Sequence, residues 1–208
     1  MTAAGPSGIF RQILDGALAA SWPEQIATVL GILFVWLAMR ESLWNFPVGI
    51  VQAAIFGWVC FEGRLFSETA LQVIYLAAMI YGWWHWTRGG RAQDPLRVQR
   101  LSAAQSIGWI AGTLALWGVW GWGMARYTPA ALPWWDGFVF ASSVASQWLQ
   151  SRKALENWIG WIVCNTVGVG VFWAKGYYWF AVLYGLFWFM AWAGLRAWWK
   201  SWKENPEA

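Results

Sequence analysis

The chain has 208 residues, of which 59% are hydrophobic and only 12% charged, about half the charged share of a soluble domain. Apolar stretches fill nearly its whole length, which points to a membrane protein and leaves no room for a soluble catalytic domain. The net charge is +4, but the basic residues flank the apolar stretches and form no continuous surface, which argues against a nucleic-acid partner.

Residues 1–21 lack the basic start and long apolar run of a signal peptide. Two readings stand for them: a short amphipathic helix around Ile9–Leu14 on the membrane surface, or a disordered tail. Seven stretches free of Asp, Glu, Lys and Arg come next, at 25–39, 42–61, 69–87, 101–125, 137–151, 157–174 and 176–195. They are read as transmembrane helices, which need roughly 17–25 residues each. The fifth is short and polar in its middle (Ser142, Ser143, Ser146, Gln147), so it starts at Trp134 and faces other helices. Cys60 and Cys164 fall inside spans and read as buried small residues, with no disulfide or metal spacing.

Residues 22–87 resemble residues 134–199. An offset of 112 pairs Trp36 with Trp148, Arg40 with Arg152, Asn45 with Asn157, Gly82 with Gly194 and Trp86 with Trp198. In the middle the better match is 113, pairing Gly57 with Gly170 and Gln52 with Asn165, which reads as a one-residue indel. Each copy holds three spans, and 101–125 lies between them. A three-span unit ends on the side opposite its start, so a second copy in the same orientation needs one extra crossing. The expected fold is therefore an all-α membrane protein of seven transmembrane helices in a 3+1+3 arrangement, with two parallel repeats.

The positive-inside rule sets the orientation. With the N-terminus outside, ten basic residues fall in the cytoplasm and four (Arg11, Arg64, Arg126, Lys175) outside. Residues 88–100 then form a basic cytoplasmic loop, and 200–208 a cytoplasmic tail. Gly108, Gly112, Gly118, Gly121 and Gly123 on the middle helix either allow close helix approach or reflect the glycine tolerance of membrane helices.

No acidic residue lies deep in a span: Glu24, Glu41, Glu62, Glu68, Asp136 and Glu156 all fall near predicted ends. Ion-driven transporters usually keep ionisable groups within the membrane, so energy coupling is not expected. The single histidine, His85, has no carboxylate partner in the sequence pattern and reads as a packed or interfacial residue. No enzyme, metal site or cofactor is expected. Aromatic residues are abundant, and several lie beside mid-span amides. Trp161 and Asn165 share one helix face, Gln72 and Tyr75 another, and Gln52 lies on the second span. Such amides either pair between helices or converge with the aromatics on a flat polar ligand; aromatic faces also attract organic cations without a buried carboxylate. Pro47 is either a kink and gate hinge or a helix-start proline with Asn45 as cap.

Trp44-Asn45-Phe46-Pro47-Val48-Gly49, Leu71-Gln72-Val73-Ile74-Tyr75 and Tyr81-Gly82-Trp83-Trp84-His85-Trp86 resemble the signatures of PnuC-type vitamin transporters. Trp161-Ile162-Val163-Cys164-Asn165 and Leu183-Tyr184, followed by Gly194 and Trp198, are similar to that family's later pattern. The resemblance covers residues 22–199. It implies a SWEET-like homotrimer in the bacterial inner membrane, taking up nicotinamide riboside by facilitated diffusion, with cytoplasmic phosphorylation trapping it; thiamine or riboflavin are the alternatives. Trp161, Asn165, Gln72, Tyr75, Gln52 and Asn45 are the expected substrate contacts, and Phe46, Pro47 and Tyr184 the expected gates. A non-transporting membrane scaffold or receptor is the rival from another class.

Overall fold

The structure, a computed structural model, describes residues 6–64, 66–88 and 96–204. The described chain is all-helical, with eight helices: α1 (Pro6–Ala19), α2 (Trp22–Met39), α3 (Asn45–Glu62), α4 (Phe66–Arg88), α5 (Ala103–Tyr127), α6 (Pro133–Ser151), α7 (Asn157–Ala174) and α8 (Tyr178–Glu204). Three of them, α2, α3 and α8, are both long and apolar enough to cross a membrane. Helices α4 to α7 are each 18 residues or longer, so length does not separate them from the other three. Their tryptophans count little on a hydropathy scale, and α6 carries Ser142, Ser143, Ser146, Gln147 and Gln150, all buried.

Local chemistry sets the helix starts. Ser21 and Glu24 form a capping box before α2, with the Ser21 N–H donating to Glu24 Oε2 at 2.6 Å, and Ser102 and Gln105 do the same for α5. Pro23, Pro133 and Pro47 all lie in first turns, where a missing N–H costs nothing. That position removes the kink reading of Pro47. Asn45 acts here as a turn lock, its Nδ2 donating to the Ser42 carbonyl at 2.5 Å, and Asn157 does the same with Ala154 at 2.6 Å.

Residues 6–19 are helical, which replaces the disordered-tail alternative. Helix α1 rests on α8, close enough that a Cβ on Gly16 would lie 3.1 Å from Trp179 Cβ. Arg91 and Asp94 of the basic loop lie outside the described residues. The end of that loop is fastened to the fold: Leu96 and Val98 are buried, and Gln99 pairs with the α6–α7 turn through Gln99 N–H to Lys153 O and Leu155 N–H to Gln99 O.

A uniform offset of 112 carries α3 onto α7 at both ends, and carries the left-handed residues Glu41 (φ 55°) and Arg64 (φ 57°) onto Lys153 (φ 57°) and Gly176 (φ 77°). The expected one-residue slip is therefore absent, and the register partner of Gln52 is Cys164, not Asn165. The α2–α4 and α6–α8 groups meet through α4 on α6 and α2 on α8, while α5 packs on α6.

Close packing marks the places where α4 and α8 cross α6 and α2. Trp86 donates its indole N–H to Gln150 O at 3.3 Å, and Trp198 donates to Ala38 O at 3.0 Å; the offset of 112 turns one bond into the other. Around them Phe46 meets Trp86 and Trp158 meets Trp198 edge to face, at 5.0 and 5.5 Å. A Cβ on Gly82 would stand 2.6 Å from Phe46, and one on Gly194 2.6 Å from Trp158, so glycine is required at both crossings. Glu41 and Lys153 close the same end as an ion pair of 2.8 Å, with Lys153 also donating to Leu96 O.

Gly194→Ala should lower stability in detergent by about 1–3 kcal/mol, the usual cost of overpacking. Gly108→Ala, at an open position, should be neutral or stabilising by up to about 1 kcal/mol. Thermal unfolding of the two purified variants beside wild type checks both.

Candidate substrate cavity

A cavity of about 470 Å³ runs between the two helix groups. Its walls come from α2, α3, α4, α6, α7 and α8 with Tyr177, and among the described residues none of the lining belongs to α1 or α5. It reaches from the buried Trp158 and Gln150 at the interlocked end to Glu68, Phe180 and the exposed Tyr177 at the opposite end.

Five of the six expected contacts line it: Trp161, Asn165, Gln72, Tyr75 and Gln52. Trp161 and Tyr75 approach edge to face at 6.4 Å. Trp161 is held by its indole N–H, which donates to Gln150 Oε1 at 3.2 Å. Tyr184, one of the expected gates, also lines the cavity and packs against Gly168, where a Cβ would strike its ring. The sixth contact, Asn45, is fully buried in the α2–α3 turn, outside the cavity walls. Phe46 is likewise in the aromatic interlock, and Pro47 is not part of the lining. Asn45 and Phe46 shape the interlocked end, and none of the three is in the cavity lining.

Sequence reasoning missed Gln150, Trp158 and Glu68 as wall residues, and noted Ser143 and Gln147 only as polar residues facing other helices. Gln147 and Gln150 are 2% exposed, and each keeps an Nε2 with no partner in the protein, as Gln72 keeps its Oε1. A buried amide that lacks a partner costs roughly 1–3 kcal/mol. The three residues that carry these atoms all line one cavity. The signal was legible: Gln147 and Gln150 are three apart on a span that also carries four serines.

The two sides differ at register-equivalent positions. Where α6 carries Ser143, Gln147 and Gln150, α2 carries Gly31, Val35 and Ala38. Where α7 carries Trp161, α3 carries Gly49, against which the Phe34 ring packs. At these positions one wall is amide-rich with a tryptophan and the other apolar, while Gln52, Gln72 and Tyr75 give the second wall its own polar groups elsewhere. Among the described residues no lysine, arginine or histidine lines the cavity, and Glu68 is its one carboxylate. His85 stacks on Tyr81 at 5.5 Å, outside the lining. Among the described residues no three His, Cys, Asp or Glu side chains come together as a metal site.

Residues 21–200 match the family model described as nicotinamide mononucleotide transporter. The chain is 28% identical to the nicotinamide riboside transporter PnuC of Escherichia coli (strain K12), over 91% of this chain and 90% of that protein. It is also 28% identical to the riboflavin/roseoflavin transporter RibM of Streptomyces davaonensis, over 86% and 84% of the two chains. Among solved structures it is similar to that of the vitamin B3 transporter PnuC, with a TM-score of 0.74, 21% identity, and coverage of 95% and 91%. That likeness shows a shared fold.

Proposed function

The chain belongs to the nicotinamide mononucleotide transporter family and is a multi-pass membrane transporter, and on that premise we propose that it takes up nicotinamide riboside by uncoupled facilitated diffusion. One observation carries the substrate: a cavity that sets Trp161 and Tyr75 among amides from both helix groups, three of which hold an unpaired polar atom, with no cationic residue among those described. The pyridinium ring of nicotinamide riboside is a flat organic cation, suited to the Trp161 face. Its carboxamide and ribose hydroxyls supply the acceptors and donors that Gln147, Gln150 and Gln72 lack. A phosphorylated ligand would bring its negative charge into a cavity whose described ionic group is a carboxylate, an unfavourable burial. Phosphorylation in the cytoplasm would then trap what has entered.

The 3+1+3 reading with two parallel repeats draws support from the uniform offset of 112, from the exchanged tryptophan bonds, and from the missing contribution of α5 to the cavity. In this reading residues 22–87 and 134–199 are the two repeats, as in the SWEET-like fold. The N-terminus lies outside the bacterial inner membrane, the C-terminus is cytoplasmic, and the protein works as a homotrimer. The interlocked end is then the cytoplasmic one, and the end bearing Glu68 faces outward. Tyr184 is retained as a gate candidate. Riboflavin is the second reading, favoured by the likeness to RibM; thiamine is a third, as another cation with a flat ring.

Trp161→Ala should weaken nicotinamide riboside binding by about 1–2 kcal/mol, roughly 5- to 30-fold, read by calorimetry; unchanged affinity would remove Trp161 from the site. In proteoliposomes the internal nicotinamide riboside should rise only to the external concentration. Accumulation driven by an imposed proton or sodium gradient would overturn the uncoupled reading, and absence of flux would favour a scaffold or receptor.

A further inference from the structure

Among the described residues Glu68 is the one ionic group in the cavity lining, and it stands in the first turn of α4, exposed, at the end opposite the aromatic interlock. The aromatic residues Tyr177 and Phe180, at the start of α8, line the same end. The nearby cation is already engaged. Lys175 at the end of α7 binds Asp136 through both carboxylate oxygens, at 2.6 and 2.8 Å, and Glu68 lies within electrostatic reach of that pair. Burial and, less, the Asp136 charge push the Glu68 carboxyl up while Lys175 pulls it down, so a cation entering the cavity would favour its ionised form.

We propose that Glu68 is a specificity-determining residue, a fixed carboxylate at the cavity mouth that recruits cationic ligands and favours them over uncharged ones. The proposal rests on the substrate reading above, in that it takes the cavity as the transport route. A charge at the mouth of a low-dielectric cleft raises the local concentration of the opposite charge, and salt screens the effect. A carboxylate in a first helical turn also stabilises its helix, and that role alone would not distinguish ligands by charge.

The test is binding to the full-length protein in detergent, at low and at high salt, with three probes. These are nicotinamide riboside and thiamine, both cations, and the uncharged dihydro form of nicotinamide riboside. Glu68→Gln should weaken both cations about tenfold more than the uncharged probe and flatten their salt dependence. Lys175→Gln, which uncovers Asp136 at the same end, should move cation affinity the opposite way. Equal losses for charged and uncharged probes, or an unchanged salt dependence, would overturn the proposal while leaving the substrate reading in place. Glu68-dependent binding of thiamine with no binding of nicotinamide riboside would do the reverse. A wild type that binds neither cation overturns both.

Discussion

The exchange of two indole hydrogen bonds holds this molecule in its shape. Trp86 of the first helix group donates to a carbonyl of the second, and Trp198 of the second donates to the matching carbonyl of the first. Both tryptophans are buried, so each N–H must find a partner or lose its solvation uncompensated. The carbonyls that accept them belong to the opposite group, at helix ends, where each also accepts a turn bond, Ala38 O from the Glu41 N–H and Gln150 O from the Lys153 N–H. The two groups are therefore fastened at one end by the same groups that need satisfying. Gly82 and Gly194 permit the close crossing, and the Glu41–Lys153 pair caps it. With that end sealed, the space between the groups opens toward the other end, and the cavity occupies it.

A two-copy scaffold would give a symmetric cavity if its walls were alike. Here the backbone offset is uniform and the side chains are not. Trp161 stands where Gly49 does on the other side, and Gln147 and Gln150 stand where Val35 and Ala38 do. The interlock needs the similarity, because an exchanged pair of bonds requires matching carbonyls. In the proposed function the cavity would use the difference, because a small molecule with a flat ring at one end and hydroxyls at the other is itself two-faced. Structural residues and wall residues thus interleave on the same helices, one set alike in the two copies and the other different.

Much of this was legible in the chain. The pairs Trp86/Trp198, Gly82/Gly194 and Asn45/Asn157 stand out at a constant spacing, and the positions of charges mark the helices. Five wall residues could be named because an amide in an apolar span demands an explanation. The failures have physical causes. Asn45 and Phe46 looked like a contact and a gate because polar and aromatic residues at a span start serve equally well to lock a turn and fill a crossing, and only packing tells the two apart. Glycine matches at an offset of 113 suggested a slip that the helix ends do not show; glycines on membrane helices recur too often to fix a register by themselves. Lys153 and the 96–101 segment escaped notice because a buried lysine is tolerated only with its partners, Glu41 and the Leu96 carbonyl, and both are distant in sequence.

One placement is central: a nicotinamide nucleoside held between the two helix groups, its ring against Trp161 and its polar edge against the α6 and α4 amides. An experimental structure of the protein saturated with nicotinamide riboside tests this most directly. Ligand density is predicted in the cavity, with the ring within stacking distance of Trp161 and polar atoms within hydrogen-bonding distance of Gln147, Gln150 or Gln72. Ligand bound elsewhere, with the cavity empty and those amides unpaired, would contradict it.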